Sequence, residues 1–193
     1  MTDRNRLRHE IRRRRAALTA AQRERAARHV AARLTATAWF RRARHVAGYL
    51  AVSGELDALP ALTAARVAGK RLYLPALATH GGLWFHPWRP GMPMRGNRFG
   101  IDEPLATPRR RKDPRALDIV LTPLVAFDRH GHRLGMGGGF YDRTFAYQLC
   151  VPVRRPILIG LAYDFQEVES LAAESWDVPL AAVVTPRGVY RCT

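Results

Sequence analysis

Residues 118–145 read DIVLTPLVAFDRHGHRLGMGGGFYDRTF. The stretch opens inside LDIVLTPLVAF (117–127), the most apolar run of the chain. A continuous apolar run of this length is the pattern of a strand buried on both faces. A helical pattern follows, from about 140 to 149. Between them lie four glycines in seven residues, Gly135, Gly137, Gly138 and Gly139. Each glycine costs conformational entropy on folding, so a cluster marks a tight turn or a close approach of backbone to a ligand. Buried strand, glycine turn and helix together form the building unit of an α/β fold.

The pattern repeats outward. HVAGYLAV (45–52) and KRLYLPAL (70–77) are short runs of strand formers, separated by the SGELD turn and a helix over 58–68 that stops at Gly69. GGLWFHPW (81–88) reads as a further strand rich in aromatics, and RPILIGLAY (155–163) and AAVVTPRGVY (181–190) complete the set. Trp84, Phe85 and Trp88 read as core or loop packing ahead of a stacking role. Residues 89–104 are rich in glycine and proline and read as a loop; 107–116 read as a charged connector. Toward the N-terminus, Leu7, Ile11 and Leu18 keep one apolar stripe in an arginine-rich helix. Thr19 and Gln22 then form the capping-box signature of a second helix that runs to about Leu34. Strands that alternate with helices predict an α/β fold, a mostly parallel sheet flanked by helices in three layers, with an N-terminal amphipathic helical segment. No repeat or boundary breaks the 193 residues, which read as a single domain, 1–193.

Composition narrows the function classes. The chain carries a formal charge of +16, and 47% of its residues are hydrophobic, enough for one sizeable core. No apolar run has the length of a membrane span. The charged start lacks the apolar stretch of a secretory signal, and its scarcity of hydroxyl residues argues against a transit peptide, so a cytoplasmic location is the expectation. Cys150 and Cys192 are far apart, and the histidines show no zinc-ligand spacing. Over residues 1–44, fourteen arginines face three acids. Such asymmetry suits a nucleic-acid surface or an anionic small molecule, and most of these arginines read as a solvated helix face.

The glycine cluster lies where an open α/β sheet binds ligands, beyond the carboxyl end of a strand. A helix N-terminus there offers unpaired N–H groups, and Arg133 adds a guanidinium that suits phosphate. The run is neither a GK[ST] phosphate loop nor the dinucleotide fingerprint, since Phe140 occupies the third glycine position. Asp142, in the first turn of the helix, is either a dipole-favoured carboxylate or a ligand for a phosphate-bound Mg2+. Glu55 is either an ordinary turn carboxylate or an acceptor for a polar ring.

Taken together, the segment 118–145, YLAVSGELDALP (49–60), GKRLYLPAL (69–77), GIDEP (100–104), ESWDVPLAAVVTP (174–186) and RNRLRHEIRRRR (4–15) resemble, in order, the motifs of the 5-formyltetrahydrofolate cyclo-ligase family. The resemblance implies an ATP-dependent ligase that uses Mg2+ to convert 5-formyltetrahydrofolate into 5,10-methenyltetrahydrofolate, ADP and phosphate. The formyl oxygen would take the γ-phosphoryl group, and N10 would then close the ring. Residue by residue it implies a nucleotide-contacting element at Arg4, Asn5, Arg6, Leu7 and Arg8. The ATP loop would be Arg133, Leu134, Gly135, Met136, Gly137, Gly138, Gly139, Phe140 and Tyr141. Met136 to Phe140 would also face the folate, with Leu50 and Glu55 lining its pocket. Asp142 and Asp177 would hold Mg2+, while Arg133 and Arg8 would be the catalytic cations. The partners implied are small molecules only, 5-formyltetrahydrofolate and ATP, with no membrane and a monomeric state. Three positions depart from the family pattern: Arg4 stands for lysine, Phe140 for tyrosine and Ala58 for threonine. The chief alternative is a nucleic-acid-binding module built on the arginine-rich N-terminus, although no RRM, KH or zinc-finger signature is present. A sugar-phosphate or CoA-ester enzyme on a similar scaffold is a weaker third.

Overall fold

The computed structural model describes residues 3–79, 81–105, 108–150 and 155–192. Helices α1 (Asp3–Ala16) and α2 (Ala20–Thr35) open the chain, and a short α3 (Ala38–Arg42) leads into strand β1 (His45–Ala47). Thr19 caps α2 as its spacing predicts: its hydroxyl accepts from the Gln22 amide, and the Gln22 side chain accepts from the Thr19 amide at 2.8 Å. Helix α4 (Leu59–Val67) precedes β2 (Arg71–Leu77), β3 (Leu83–Trp88) and a hairpin of β4 (Met94–Gly96) and β5 (Asp102–Pro104). Next come β6 (Ile119–Thr122), the hairpin β7 (Ala126–Phe127) and β8 (Arg133–Leu134), and α5 (Phe140–Phe145). Strands β9 (Ile157–Leu161), β10 (Ala182–Val184) and β11 (Val189–Arg191) follow.

Seven strands form one sheet in the order β11-β10-β9-β6-β1-β2-β3. The five central strands run parallel, and the two edge strands are antiparallel to their neighbours. Alternation along the strands divides the core. Val46, Ile119, Leu121, Ile159 and Val184 face α2, α3 and α4, through Val30, Leu34, Phe40, Leu62 and their neighbours. Ala47, Val120, Leu158 and Val183 face the other way, against Phe145 of α5 and Val178 and Leu180 of the C-terminal segment. The sheet thus has both faces covered, which is why its strands read as unbroken apolar runs. No helix among the described residues is long and apolar enough to cross a membrane.

Several boundaries differ from the sequence expectation, each for a local reason. The apolar run 117–127 leaves the large sheet after Thr122, just before Pro123, and its end pairs with β8 instead. The run 181–190 is a hairpin turned by Thr185 to Gly188, where Thr185 Oγ1 accepts from the Arg187 and Gly188 amides. The loop 89–104 contains the β4–β5 hairpin, which pairs through only three residues on each side. The connector read at 107–116 begins outside the described residues; from Pro108 it holds two short 3-10 turns. The aromatics of 84–88 sit as packing: Phe85 is fully buried, and Arg111 lies 4.7 Å over the Trp84 ring.

Candidate active site

Because β1, β6 and β9 are parallel neighbours, their carboxyl ends open on one edge of the sheet. Glu55 follows β1, the glycine loop follows β6 through the β7–β8 hairpin, and Tyr163 follows β9. The hairpin is fixed from below. The buried Asp128 carboxylate accepts from the His130 and His132 amides at 3.0 Å, the Leu171 amide at 3.0 Å and His132 Nδ1 at 2.9 Å.

Helix α1 lies across this edge. Leu7 and Ile11 pack on Val125, Ala126 and Leu134, which seats the helix beside the loop. Arg8 Nε donates to Gly135 O at 2.9 Å, and its Nη1 donates to Asn5 Oδ1 at 2.8 Å. Partial burial and the neighbouring charges of Arg4 and Arg12 push the Arg8 guanidinium below its usual value. Arg12 reaches the exposed Met136, its Nη2 3.4 Å from Sδ. Arg6 turns away to pair with Asp3 at 2.5 Å, and Leu7 is spent on packing. Of the five N-terminal residues expected to contact nucleotide, the structure therefore brings Arg8, with Asn5 behind it, to the glycine loop. Arg4 lies instead against 172–177, donating to Ala172 O and standing 3.7 Å from Asp177.

Gly139 takes a left-handed conformation (φ 62°), and a Cβ there would lie 2.7 Å from Arg143 Nη1. Gly137, at φ 99°, likewise occupies the region that favours glycine. Helix α5 has only six residues and passes into a 3-10 turn, so the loop offers backbone N–H groups rather than the dipole of a long helix. Arg143, which sequence reading passed over, ties the loop to the β2–β3 turn by donating to Gly81 O at 2.7 Å and Gly138 O at 2.5 Å. Phe99, at the tip of the β4–β5 hairpin, meets the Phe140 ring edge-on with centroids 5.8 Å apart. Sequence reading assigned nothing to Phe99, whose one sequence signal is an aromatic set in the glycine- and proline-rich stretch 89–104.

Arg133 is enclosed, with a side chain only 6% exposed. Its Nη2 contacts Asp142 Oδ1 at 2.5 Å, and its Nη1 donates to Val178 O. The Val178 amide donates to the same Asp142 oxygen at 3.2 Å. One guanidinium thus joins the glycine loop, α5 and the segment that carries Asp177. Asp177 Oδ2 accepts from the Glu174 amide at 2.9 Å. Asp142 and Asp177 each keep one carboxylate oxygen without a hydrogen bond from the described residues. No group of three or more His, Cys, Asp or Glu side chains able to hold a metal occurs among the described residues. Two carboxylates fit Mg2+, which completes its shell with water and phosphate, better than a metal that needs an all-protein cage.

Glu55 is nearly buried, 6% exposed, in the turn after β1. Its Oε2 accepts from the Val52 amide at 3.2 Å. Burial pushes its carboxyl up, while that hydrogen bond and the Arg15 guanidinium pull it down. Tyr49 and Tyr141 are pushed up by burial and by the charge of Glu55. Tyr141, the second residue of α5, also senses Arg133, and so lies electrostatically between the turn and the loop. Leu50 is half-buried against the core.

The 5-formyltetrahydrofolate cyclo-ligase family sequence model matches residues 1–186, with the glycine loop, Glu55 and α1 all inside the match. The chain belongs to that family. It is 43% identical over 185 residues to the 5-formyltetrahydrofolate cyclo-ligase of Escherichia coli, covering 93% of this chain and 98% of the relative. The Haemophilus influenzae 5-formyltetrahydrofolate cyclo-ligase is 41% identical over 182 residues, covering 92% and 94%. The solved Aquifex aeolicus 5,10-methenyltetrahydrofolate synthetase superposes with a TM-score of 0.82 at 30% identity, over 98% of this chain and 93% of that one. This cyclo-ligase is therefore an enzyme with the α/β fold of its family.

Proposed function

We propose that the chain closes 5-formyltetrahydrofolate to 5,10-methenyltetrahydrofolate at the expense of ATP, with Mg2+, releasing ADP and phosphate. The observation that carries the reading is the convergence of Arg8, the exposed glycine backbone and the Arg133–Asp142 pair at one sheet edge, with buried Glu55 beyond Tyr141. The open loop suits a triphosphate; the enclosed carboxylate suits a ring edge with N–H donors.

The formyl oxygen is a poor leaving group as it stands. Its attack on the γ-phosphorus expels ADP and turns it into a phosphate ester. N10 then bonds to the formyl carbon, the carbon–oxygen bond breaks, phosphate leaves with the electron pair, and the N10 proton passes to water. Phosphoryl transfer needs positioning and charge neutralisation rather than a protein nucleophile. The N–H groups of 135–139 hold phosphate oxygens, and Arg8 spans from α1 to neutralise them. Arg133 fixes Asp142 and, through Val178, the strand of chain bearing Asp177. Asp142 and Asp177 would hold Mg2+, which would supply further neutralisation of the phosphates. Glu55 accepts from the amino and N–H edge of the pterin, where two donors face one carboxylate. Phe140 and Met136 cover the folate from the loop. The reading is of a cytoplasmic monomer acting on small molecules.

Mixing pure protein, MgATP and 5-formyltetrahydrofolate tests the proposal. Methenyltetrahydrofolate absorbance should rise at roughly 360 nm, as its conjugated cofactor chromophore requires. A flat trace from folded protein rejects it.

A further inference from the structure

We infer that Arg15 is a positioning residue of the folate site, the internal counter-charge that keeps Glu55 ionised so that it meets the pterin as a carboxylate. The inference rests on the folate reading above. Arg15 closes the stripe that Leu7 and Ile11 begin, yet it is a cation where the stripe calls for an apolar side chain. It is 1% exposed. Its Nη2 donates to Leu124 O, whereas Nε and Nη1 are buried without a hydrogen-bond partner. An arginine used only to tie α1 to the sheet would have its remaining donors satisfied, because buried polar groups are expensive to leave unpaired. A guanidinium also stays charged under burial, so it requires an anion nearby.

Glu55 is that anion. The turn bearing it is pressed onto Arg15: a Cβ on Gly54 would lie 3.2 Å from Arg15 Cβ. Arg15 and Glu55 act on each other electrostatically, but no ion pair within 4.0 Å forms between them among the described residues. The other titratable groups around Glu55 are the phenols of Tyr49 (after β1), Tyr141 (α5) and Tyr163 (after β9), whose hydroxyl lies 3.5 Å from Glu55 O, together with Asp57 in the same turn as Glu55. Burial pushes all three phenols up, so they are neutral where enzymes work. Arg15 is therefore the cation that opposes the desolvation of Glu55. Standing off rather than pairing, it leaves Oε1, the oxygen that does not accept from the Val52 amide, open to a ligand.

The test compares the full-length wild type with Arg15→Met, Arg15→Lys and Arg15→Gln. The Glu55 carboxyl is followed by carbon NMR on glutamate-labelled protein and assigned with Glu55→Gln. In Arg15→Met the Glu55 midpoint should move up by about one pH unit, the scale on which a nearby opposite charge acts, and Arg15→Lys should restore most of it. The KM for 5-formyltetrahydrofolate climbs as pH falls through the Glu55 midpoint. That limb should shift upward by the same unit, with kcat and the ATP KM unchanged. Arg15→Gln keeps a donor for Leu124 O without charge and serves if Arg15→Met does not fold. An unmoved midpoint in either folded neutral variant overturns the inference. A moved midpoint with an unmoved folate KM profile overturns its folate half. Because the NMR arm needs no turnover, absence of cyclisation in the wild type counts separately, against the proposed function.

Discussion

Helix α1 uses the same residue type in opposite ways. On its open side, Arg8 and Arg12 reach across to a glycine loop that faces solvent, and they bond a carbonyl and a thioether. On its closed side, Arg15 is sealed beneath the Glu55 turn with two donor nitrogens unused. Charge in water is screened and adaptable, which suits a highly charged ligand that must enter and leave. Charge held out of water acts strongly on whatever lies near it, which suits fixing the protonation state of a single neighbour. One helix thus carries both the arginines that reach the glycine loop and the arginine sealed beneath the Glu55 turn.

Substitutions should separate the two sides. The largest effect is expected for Arg133→Ala, which releases both Asp142 and the segment of Asp177; kcat/KM for ATP should fall about 10³-fold in the absorbance assay. Asp142→Asn should raise the Mg2+ concentration for half-maximal rate up to about 100-fold, measured by metal titration. Glu55→Gln belongs to the closed side. It should raise the folate KM about 30-fold and leave the ATP KM alone, because a charge-assisted hydrogen bond becomes a neutral one. Since burial raises the Glu55 carboxyl, the wild-type folate KM should rise as pH falls through that raised value, a limb absent from Glu55→Gln. Arg8→Ala should do the reverse, raising the ATP KM about tenfold with the folate KM unchanged. Should Arg8→Ala and Glu55→Gln each disturb both substrates equally, the division along α1 is broken. The smallest effect is expected for Glu24→Ala, which removes an exposed ion pair with Arg28 on α2 and should leave both KM values and the melting temperature where they are.

The fold was largely legible because periodicity and turn chemistry are local. The capping box at Thr19, the stop at Gly69 (φ 73°) and the buried runs of β6 and β9 all stand as read. The misread ends share a cause: an apolar run does not say which partner it pairs with, so 117–127 reads as one strand although its end joins a different sheet. Of the site, Gly135 to Gly139 and Asp142 were legible by their pattern. Arg143 and Phe99 were not, because Arg143 reaches Gly81 and Phe99 meets Phe140, partners more than forty residues away in sequence.

By itself the sequence determined the layered α/β plan and where along the chain the glycine loop lies, because hydrophobic period, glycine placement and caps act between near neighbours, and its ordered motifs carried the family likeness. Tertiary structure alone decided which arginines are which. Four arginines in a row, Arg12 to Arg15, are chemically identical on paper. Only the packing of α1 against Leu134 and the Glu55 turn leaves three of them exposed and takes the fourth out of water, where its charge has another task.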